Sequence, residues 1–211
     1  METWMHHDEK QLILDCLNNN MTMLEWGSGG STLEFSSLVK KYYSIEHNKE
    51  WYDFISEKLK DYPLNDVEYR YVKQNLERTP GQSTYLEFKD YIDEIDNFNN
   101  KFDVVLIDGR ARRLCAKKVI PYLKENAVIF IHDYVLRRPY WVVEDYFELV
   151  DASINTEQTI VKLKLRKNFK PNAYTLDLGA FERENPGTSP ETEDDEARKL
   201  YTQKLRDKHE N

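Results

Sequence analysis

Residues 23–32 read MLEWGSGGST, and the fold is decided by how that stretch is read. A short apolar run ends in an acid, Glu25, and Trp26. Glycines then stand at 27, 29 and 30. Ser31 and Thr32 follow, and a helical pattern opens with Leu33 and Phe35. The order is that of a strand, a tight turn and a helix start. Glycine is needed where the backbone turns with positive φ or lets a ligand lie against it. Ser31 or Thr32 can cap the helix, whose first N–H groups then face whatever the glycines admit. Working outward, a second strand-like run at 42–45 is followed by Glu46, about twenty residues beyond the first glycine. At that distance a carboxylate meets a ribose diol in nucleoside-binding βαβ folds.

The alternation continues through the chain. Before the glycines, residues 9–17 carry a helical stripe of Leu12, Ile13, Cys16 and Leu17. After them come a helix over 31–40, a strand over 41–46 and a helix from the Asn48 cap to about Lys60. A strand at 67–72 precedes a loop containing Pro80-Gly81. Then follow a helix at 84–95, the strand FDVVLI at 102–107, a helix at 110–123, a strand at 127–131 and a helix at 138–147. Residues 102–107 are almost continuously apolar, as expected of a strand covered on both faces. This alternation implies a doubly wound α/β sheet, mostly parallel, with helices on both sides. The ending differs. Runs at 148–154 and 159–166 are about four residues apart, too close for a parallel crossover, so they form an antiparallel hairpin. The expectation is a Rossmann-like, seven-stranded, mostly parallel sheet with a C-terminal antiparallel hairpin.

The 211 residues suit one domain over 1–166. Residues 167–211, punctuated by Pro171, Pro186, Gly187 and Pro190 and acidic at 191–196, read as a polar mobile tail in which Leu200, Tyr201 and Leu205 mark a marginal helix. A net charge of −8 without a long basic run argues against wholesale nucleic-acid binding. No apolar run approaches the roughly 18 residues of a membrane span, and the first residues lack a signal-peptide pattern. Cys16 and Cys115 follow no metal spacing, so reduced thiols and a cytoplasmic setting are expected.

Ligands of open α/β sheets bind beyond the carboxyl ends of the strands. There the first strand delivers Glu25, Trp26 and the glycines, and the second delivers Glu46 and His47. The fourth delivers Asp108, Gly109 and Arg110, and the fifth delivers His132, Asp133 and Tyr134. Ionisable groups from four strand ends on one edge mark a site. Arg112 and Arg113 stand close behind the fourth strand's end, at least one of them as a helix-surface charge, and Trp51 reads as core. Trp4 and His7 serve either as a lid or as a staple for the first helix. Tyr140 and Trp141 are candidates to stack on a sugar ring.

LEWGSGGST, SIEH, VVLIDGRAR and IFIHDY, in that order, resemble a class I S-adenosylmethionine-dependent methyltransferase, and more narrowly a group found in plants, algae and large DNA viruses of algae. The resemblance spans residues 4–166. It implies S-adenosylmethionine as cofactor, with Gly27, Ser28 and Gly29 against its methionine part, Glu46 on the ribose hydroxyls and Asp108 at the methyl-transfer end. Glu25, Trp26, Ser31, Thr32 and His47 complete the expected cofactor set, and adenine contacts are expected near Asn75 and Ser83. Thr32 stands where a dinucleotide motif has its third glycine.

Some viral relatives methylate sugar hydroxyls of capsid glycans, which suggests O-methylation of a glycan, in the host cytoplasm if the protein is viral. The hydroxyl proton then has two possible fates. His132 is a general base, since an unperturbed pKa of about 6.5 suits it, or Asp108 and Asp133 hold Mg²⁺ or Mn²⁺, which lowers the acceptor's pKa. Arg110 orients the substrate. Other readings are a methyltransferase of another small molecule, an NAD- or nucleotide-sugar-dependent oxidoreductase, and a non-catalytic partner with the same fold. Partners are a small-molecule or carbohydrate acceptor, with no nucleic acid and no membrane.

Overall fold

A computed structural model describes residues 5–62, 66–77, 83–135, 138–154, 159–172, 176–185 and 199–204. Among them seven strands form one sheet: β1 (Thr22–Trp26), β2 (Lys41–Glu46), β3 (Asp66–Tyr71), β4 (Phe102–Ile107), β5 (Leu123–His132), β6 (Phe147–Ile154) and β7 (Thr159–Leu165). Their order is β3-β2-β1-β4-β5-β7-β6. The first five pair in parallel, whereas β7 pairs antiparallel with both β5 and β6. The expected mixed sheet and closing hairpin are therefore present.

The helices are α1 (His7–Leu14), α2 (Gly30–Phe35), α3 (Lys49–Leu59), α4 (Tyr85–Asp93), α5 (Arg112–Lys118) and α6 (Leu178–Glu184). Their starts follow local chemistry. Asn48 accepts from the Trp51 N–H at 2.9 Å, and Thr84 and Glu87 close a capping box on α4. Several elements differ from the sequence reading. The helix expected at 31–40 is a six-residue α2 followed by a 3-10 turn. The one expected from 110 starts at Arg112, because Ala111 takes a left-handed φ of 51°. The one expected at 138–147 is a 3-10 helix, Arg138–Asp145. Strand β5 begins four residues early, at Leu123.

Side chains alternate across each strand. Leu24 and Trp26 face one layer, packed with Phe88, Tyr91 and Leu114 of α4 and α5. Met23, Tyr42, Val104, Leu106, Val128 and Phe130 face the other, where Ile13 of α1 and Phe35 of α2 cover them. Both layers are mainly apolar, the second also enclosing Glu25 and Ser44, and this burial supplies the main driving force for the fold.

The described part of 167–211 is not a free tail. Phe181 and Leu178 of α6 are buried in the first layer. At least one of Arg112 and Arg113 was expected on a helix surface, but both are buried, and Arg113 binds the Asn185 carbonyl and Glu182. Tyr201 stacks on Trp141 with centroids 4.1 Å apart. The stretch is polar in composition, but a few large apolar residues anchor it. Trp4, Pro80-Gly81 and Leu205 lie outside the described residues. Among the described residues no helix is long and apolar enough to cross a membrane.

Candidate active site

At the carboxyl ends of β1, β2, β4 and β5 opens a cavity of about 810 Å³, within the range of small-molecule sites. Its floor is two backbone turns pressed together. Gly27 has φ +92°, and a Cβ there would lie 2.4 Å from the Gly109 nitrogen. Gly109 is equally constrained, since its Cβ would meet the Tyr91 hydroxyl at 2.1 Å. Gly29 is a different case. Its φ of −179° is open to any residue, and a Cβ would meet nothing nearer than Ser31 Oγ at 3.9 Å. No protein atom stands in the way of a side chain there, whereas a ligand lying along the turn would.

One wall belongs to β2 and α3. Glu46 is 3% exposed and lines the cavity. Its Oε1 accepts from the N–H groups of His47 and Asn48 at 2.8 and 2.7 Å. Its Oε2 accepts from the Ser28 N–H at 2.9 Å and the Ser28 hydroxyl at 3.2 Å. Burial pushes the carboxyl up, but His47 and these donors outweigh it and hold the pKa below the ordinary range. Glu46 is thus a fixed negative charge. Trp51 is not core. Its indole lines the cavity, donates to the Ser28 carbonyl at 2.6 Å and stacks on Phe54. A one-turn offset from the Asn48 cap was the available signal: residues at the start of α3 face the same strand ends as Glu46.

The opposite wall is a charge cluster. Asp108 Oδ1 lies 2.9 Å from His132 Nδ1. Arg112, close behind the end of β4, is 8% exposed and joins the ends of β4 and β5. It donates to the carbonyls of Gly109 and Asp108 at 3.0 Å each, to the His132 carbonyl, and to Asp133 Oδ2 at 3.0 Å. Asp133 holds φ at 54°, an uncommon conformation for a non-glycine residue. Arg110 lines the same wall.

His132 points to the α1 face of the sheet, as does Phe130 two residues earlier, and its Nε2 lies 3.4 Å from Glu9 Oε2. Burial alone would lower the imidazolium pKa. The bond to Asp108 and the carboxylates of Glu9 and Asp133 more than reverse this and push it up to about 10. At neutral pH His132 is therefore a cation, not the free base of pKa near 6.5 expected from the sequence.

The expected site residues divide accordingly. Gly27, Ser28, Gly29, Ser31, Glu46, His47, Asp108, Arg110, His132 and Asp133 line the cavity. Glu25, Trp26 and Thr32 do not. Alternation turns Glu25 toward α2, where Ser31, Thr32 and Ser44 donate to it, the last two at 2.5 and 2.8 Å. Full burial pushes the Glu25 pKa up to about 7 against those bonds. Thr32 is consumed by Glu25 and by the Gly29 N–H. Trp26 lies in the opposite layer, with its indole N–H on the Tyr91 carbonyl. Asn75 is engaged by α4 and does not line the cavity, and neither does Ser83. Tyr201 stacks on one face of Trp141, and neither Tyr140 nor Trp141 lines the cavity. His7 is exposed, and the capping role falls to His6.

Asp108, Asp133 and His132 have ligand atoms within 4.8 Å of one another, the spacing of a possible metal site. The donor set does not fit a divalent cation. Asp133 already pairs with Arg112, and Asp108 pairs with both Arg112 and an imidazolium. A metal would have to displace two built-in cations, and Mg²⁺ favours oxygen ligands over imidazole.

No protein-family model and no curated protein sequence matches the chain. Solved structures do. A methyltransferase-like protein from Silicibacter pomeroyi superposes with a TM-score of 0.64 at 21% identity, over 87% of this chain and 97% of that one. A putative methyltransferase from Streptococcus mutans in complex with SAH gives 0.53 at 19%, over 77% and 100%. A precorrin 8w decarboxylase from Methanobacterium thermoautotrophicum gives 0.57 at 14%, over 77% and 91%. At these identities the likeness is one of fold. The seven-stranded sheet with its reversed last pair is the Rossmann-like fold of class I methyltransferases.

Proposed function

We propose that the chain is an S-adenosylmethionine-dependent methyltransferase that acts on a hydroxyl of a small or carbohydrate acceptor. The observation that carries this reading is the cavity over the first crossover. A glycine turn leaves space for a ligand, and Glu46 stands charged beside it. The methyltransferase fold and the SAH-bound relative of that fold support it.

Gly29 and Ser28 would lie along the cofactor, and Glu46 would take its ribose diol. Four donors already occupy the Glu46 oxygens, about the acceptor capacity of a carboxylate. The diol would therefore replace the weakest, the Ser28 hydroxyl, which keeps Tyr69 as a partner at 2.5 Å. When bound, the cofactor supplies a methyl group on a positively charged sulfur, an electrophile that needs no acid to leave.

What remains for the protein is to align the acceptor and receive its proton. Asp108 and Asp133 are the partly open carboxylates of the cluster, at 27% and 25% side-chain exposure. Either can accept the acceptor's O–H. The buried imidazolium behind Asp108 fixes that carboxylate and balances its charge. An amine acceptor would be drawn to the same acids, so an acceptor panel must contain both.

Calorimetry with S-adenosylhomocysteine, S-adenosylmethionine and NAD tests the cofactor. Binding of the first two but not NAD is expected, and NAD binding alone would overturn the reading. Transfer of labelled methyl across sugars, glycans, phenols and amines then fixes the acceptor class.

A further inference from the structure

A buried carboxylate on the N-terminal helix has no role in the account so far. Glu9 is 0% exposed, yet it lies in the first turn of α1, a helix of otherwise modest burial. Its Oε2 accepts from the His6 N–H at 2.9 Å and so closes the capping box. A capping-box glutamate needs no burial to do this. A surface cap keeps its charge in water, whereas removing a carboxylate from water costs several kcal/mol unless a cation meets it. The His132 imidazole nitrogen Nε2 lies 3.4 Å from Oε2, and among the described residues no other basic side chain is paired with Glu9. Among those residues, His132 Nε2 and Glu9 Oε1 have no other well-aligned hydrogen-bond partner, so each faces the other residue alone.

We infer that Glu9 is a positioning residue. It holds the His132 ring so that Nδ1 meets Asp108, and it thereby makes the N-terminal segment a working wall of the acceptor end. The inference rests on the proposed function for what that end does, but the Glu9–His132 contact itself does not. The β5 alternation aims His132 at α1, on the same side as Phe130. Asp108 has the parity of Val104 and Leu106, so it meets the ring from the same side. The capping box also fixes the backbone just before α1, and Met5 there lines the cavity. The groups facing the ring are Glu9 from α1, Asp108 from the end of β4 and Asp133 from the end of β5, with Arg112 of α5 behind the two aspartates.

Glu9→Gln separates the two roles of Glu9. Glutamine also closes a capping box, so a residue serving only the cap would tolerate it. We expect E9Q in the full chain to shift the His132 ring ¹H–¹⁵N signals at fixed pH and to couple non-additively with His132→Asn in urea unfolding. We further expect it to lower kcat 10- to 100-fold while S-adenosylhomocysteine affinity stays within twofold. Glu9→Asp, which keeps the charge, should recover part of kcat. If E9Q leaves the ring signals unmoved and adds simply to H132N, the inference is wrong and Glu9 is a cap. If the ring signals move but no preparation binds S-adenosylhomocysteine, the contact stands and the proposed function fails.

Discussion

The two walls of the cavity are built by different means. The β2 wall is backbone: N–H groups of Ser28, His47 and Asn48 converge on one carboxylate, and glycines make the floor. The β4–β5 wall is side-chain charge: Arg112 and His132 against Asp108, Asp133 and Glu9, drawn from four elements. Backbone cradles suit a ligand shared by many proteins, since their geometry is set by the turn. Charge clusters suit a reaction, since each member can be changed alone. The difference predicts that damage on the first side appears in cofactor binding and damage on the second in stability and turnover.

The largest expected effect is at Arg112. Replacing it with methionine strands two carboxylates and three carbonyls that now share its five donors, and should cost about 3–5 kcal/mol of stability. Urea unfolding measures this. Arg112→Lys should recover only part, because an ammonium cannot fork between two strand ends. A loss below 1 kcal/mol would mean that the cluster does not depend on its guanidinium.

Next comes Glu25, beneath the glycine turn. Its pKa is raised from an ordinary value near 4.5 to about 7 in the folded protein. Folding therefore takes up a proton between these limits. The protonated form's contribution is complete below about pH 4.5 and is lost as pH rises through 7. At ~1.4 kcal/mol per pH unit of displacement the loss is on the order of 3 kcal/mol. Glu25→Gln should flatten the fall in stability between pH 5 and 8. An unchanged pH profile would show Glu25 to be charged throughout.

Much of this contrast follows the limits of reading a sequence. The β2 wall was legible because its determinants are local: Gly27, Gly29 and Glu46 announce a turn and an acid at a fixed spacing. The strands and their reversed last pair were legible from apolar runs and loop lengths. The charge wall was half legible. Asp108, His132 and Asp133 stand at strand ends, but Arg112 reaches His132 and Asp133 20 and 21 positions away and Glu9 reaches His132 from the far end of the chain, and no local pattern marks those contacts. Parity was the unused signal. Counting back from His132 to Phe130 and from Trp26 to Leu24 assigns each side chain to a layer. That count would have removed Trp26 from the cavity and aimed His132 at α1, whereas Glu25 shares the face of Glu46 and is kept from the cavity by the Ser31, Thr32 and Ser44 hydroxyls that enclose it. The anchored C-terminal segment was missed because its composition is polar, whereas its docking depends on single residues such as Phe181 and Tyr201.

Glu46 gives a smaller effect that is confined to binding. Glu46→Gln turns an acceptor into a group whose amide faces donors. S-adenosylhomocysteine affinity should fall 10- to 100-fold, or ~1.5–3 kcal/mol, the worth of hydrogen bonds to a charged group. Asp108→Asn should leave that affinity within a few-fold while abolishing transfer. Equal losses in both variants would erase the distinction between the walls.

The smallest expected effect is that of added metal. Asp108 and Asp133 lie close enough together to suggest a divalent site, and the sequence encouraged that reading. Yet each carboxylate already faces a basic group that the chain provides, Asp133 the Arg112 guanidinium and Asp108 both Arg112 and the His132 ring. Transfer and unfolding should therefore be indifferent, within twofold and ~0.5 kcal/mol, to millimolar Mg²⁺, Mn²⁺ or EDTA. Arg112→Met sharpens the test, because it vacates the place a cation would take. If Mn²⁺ stabilises that variant but not the natural chain, the guanidinium is doing a metal's electrostatic work. If Mn²⁺ stabilises both, the charge wall is a metal site and the pairing described for it belongs to its empty form.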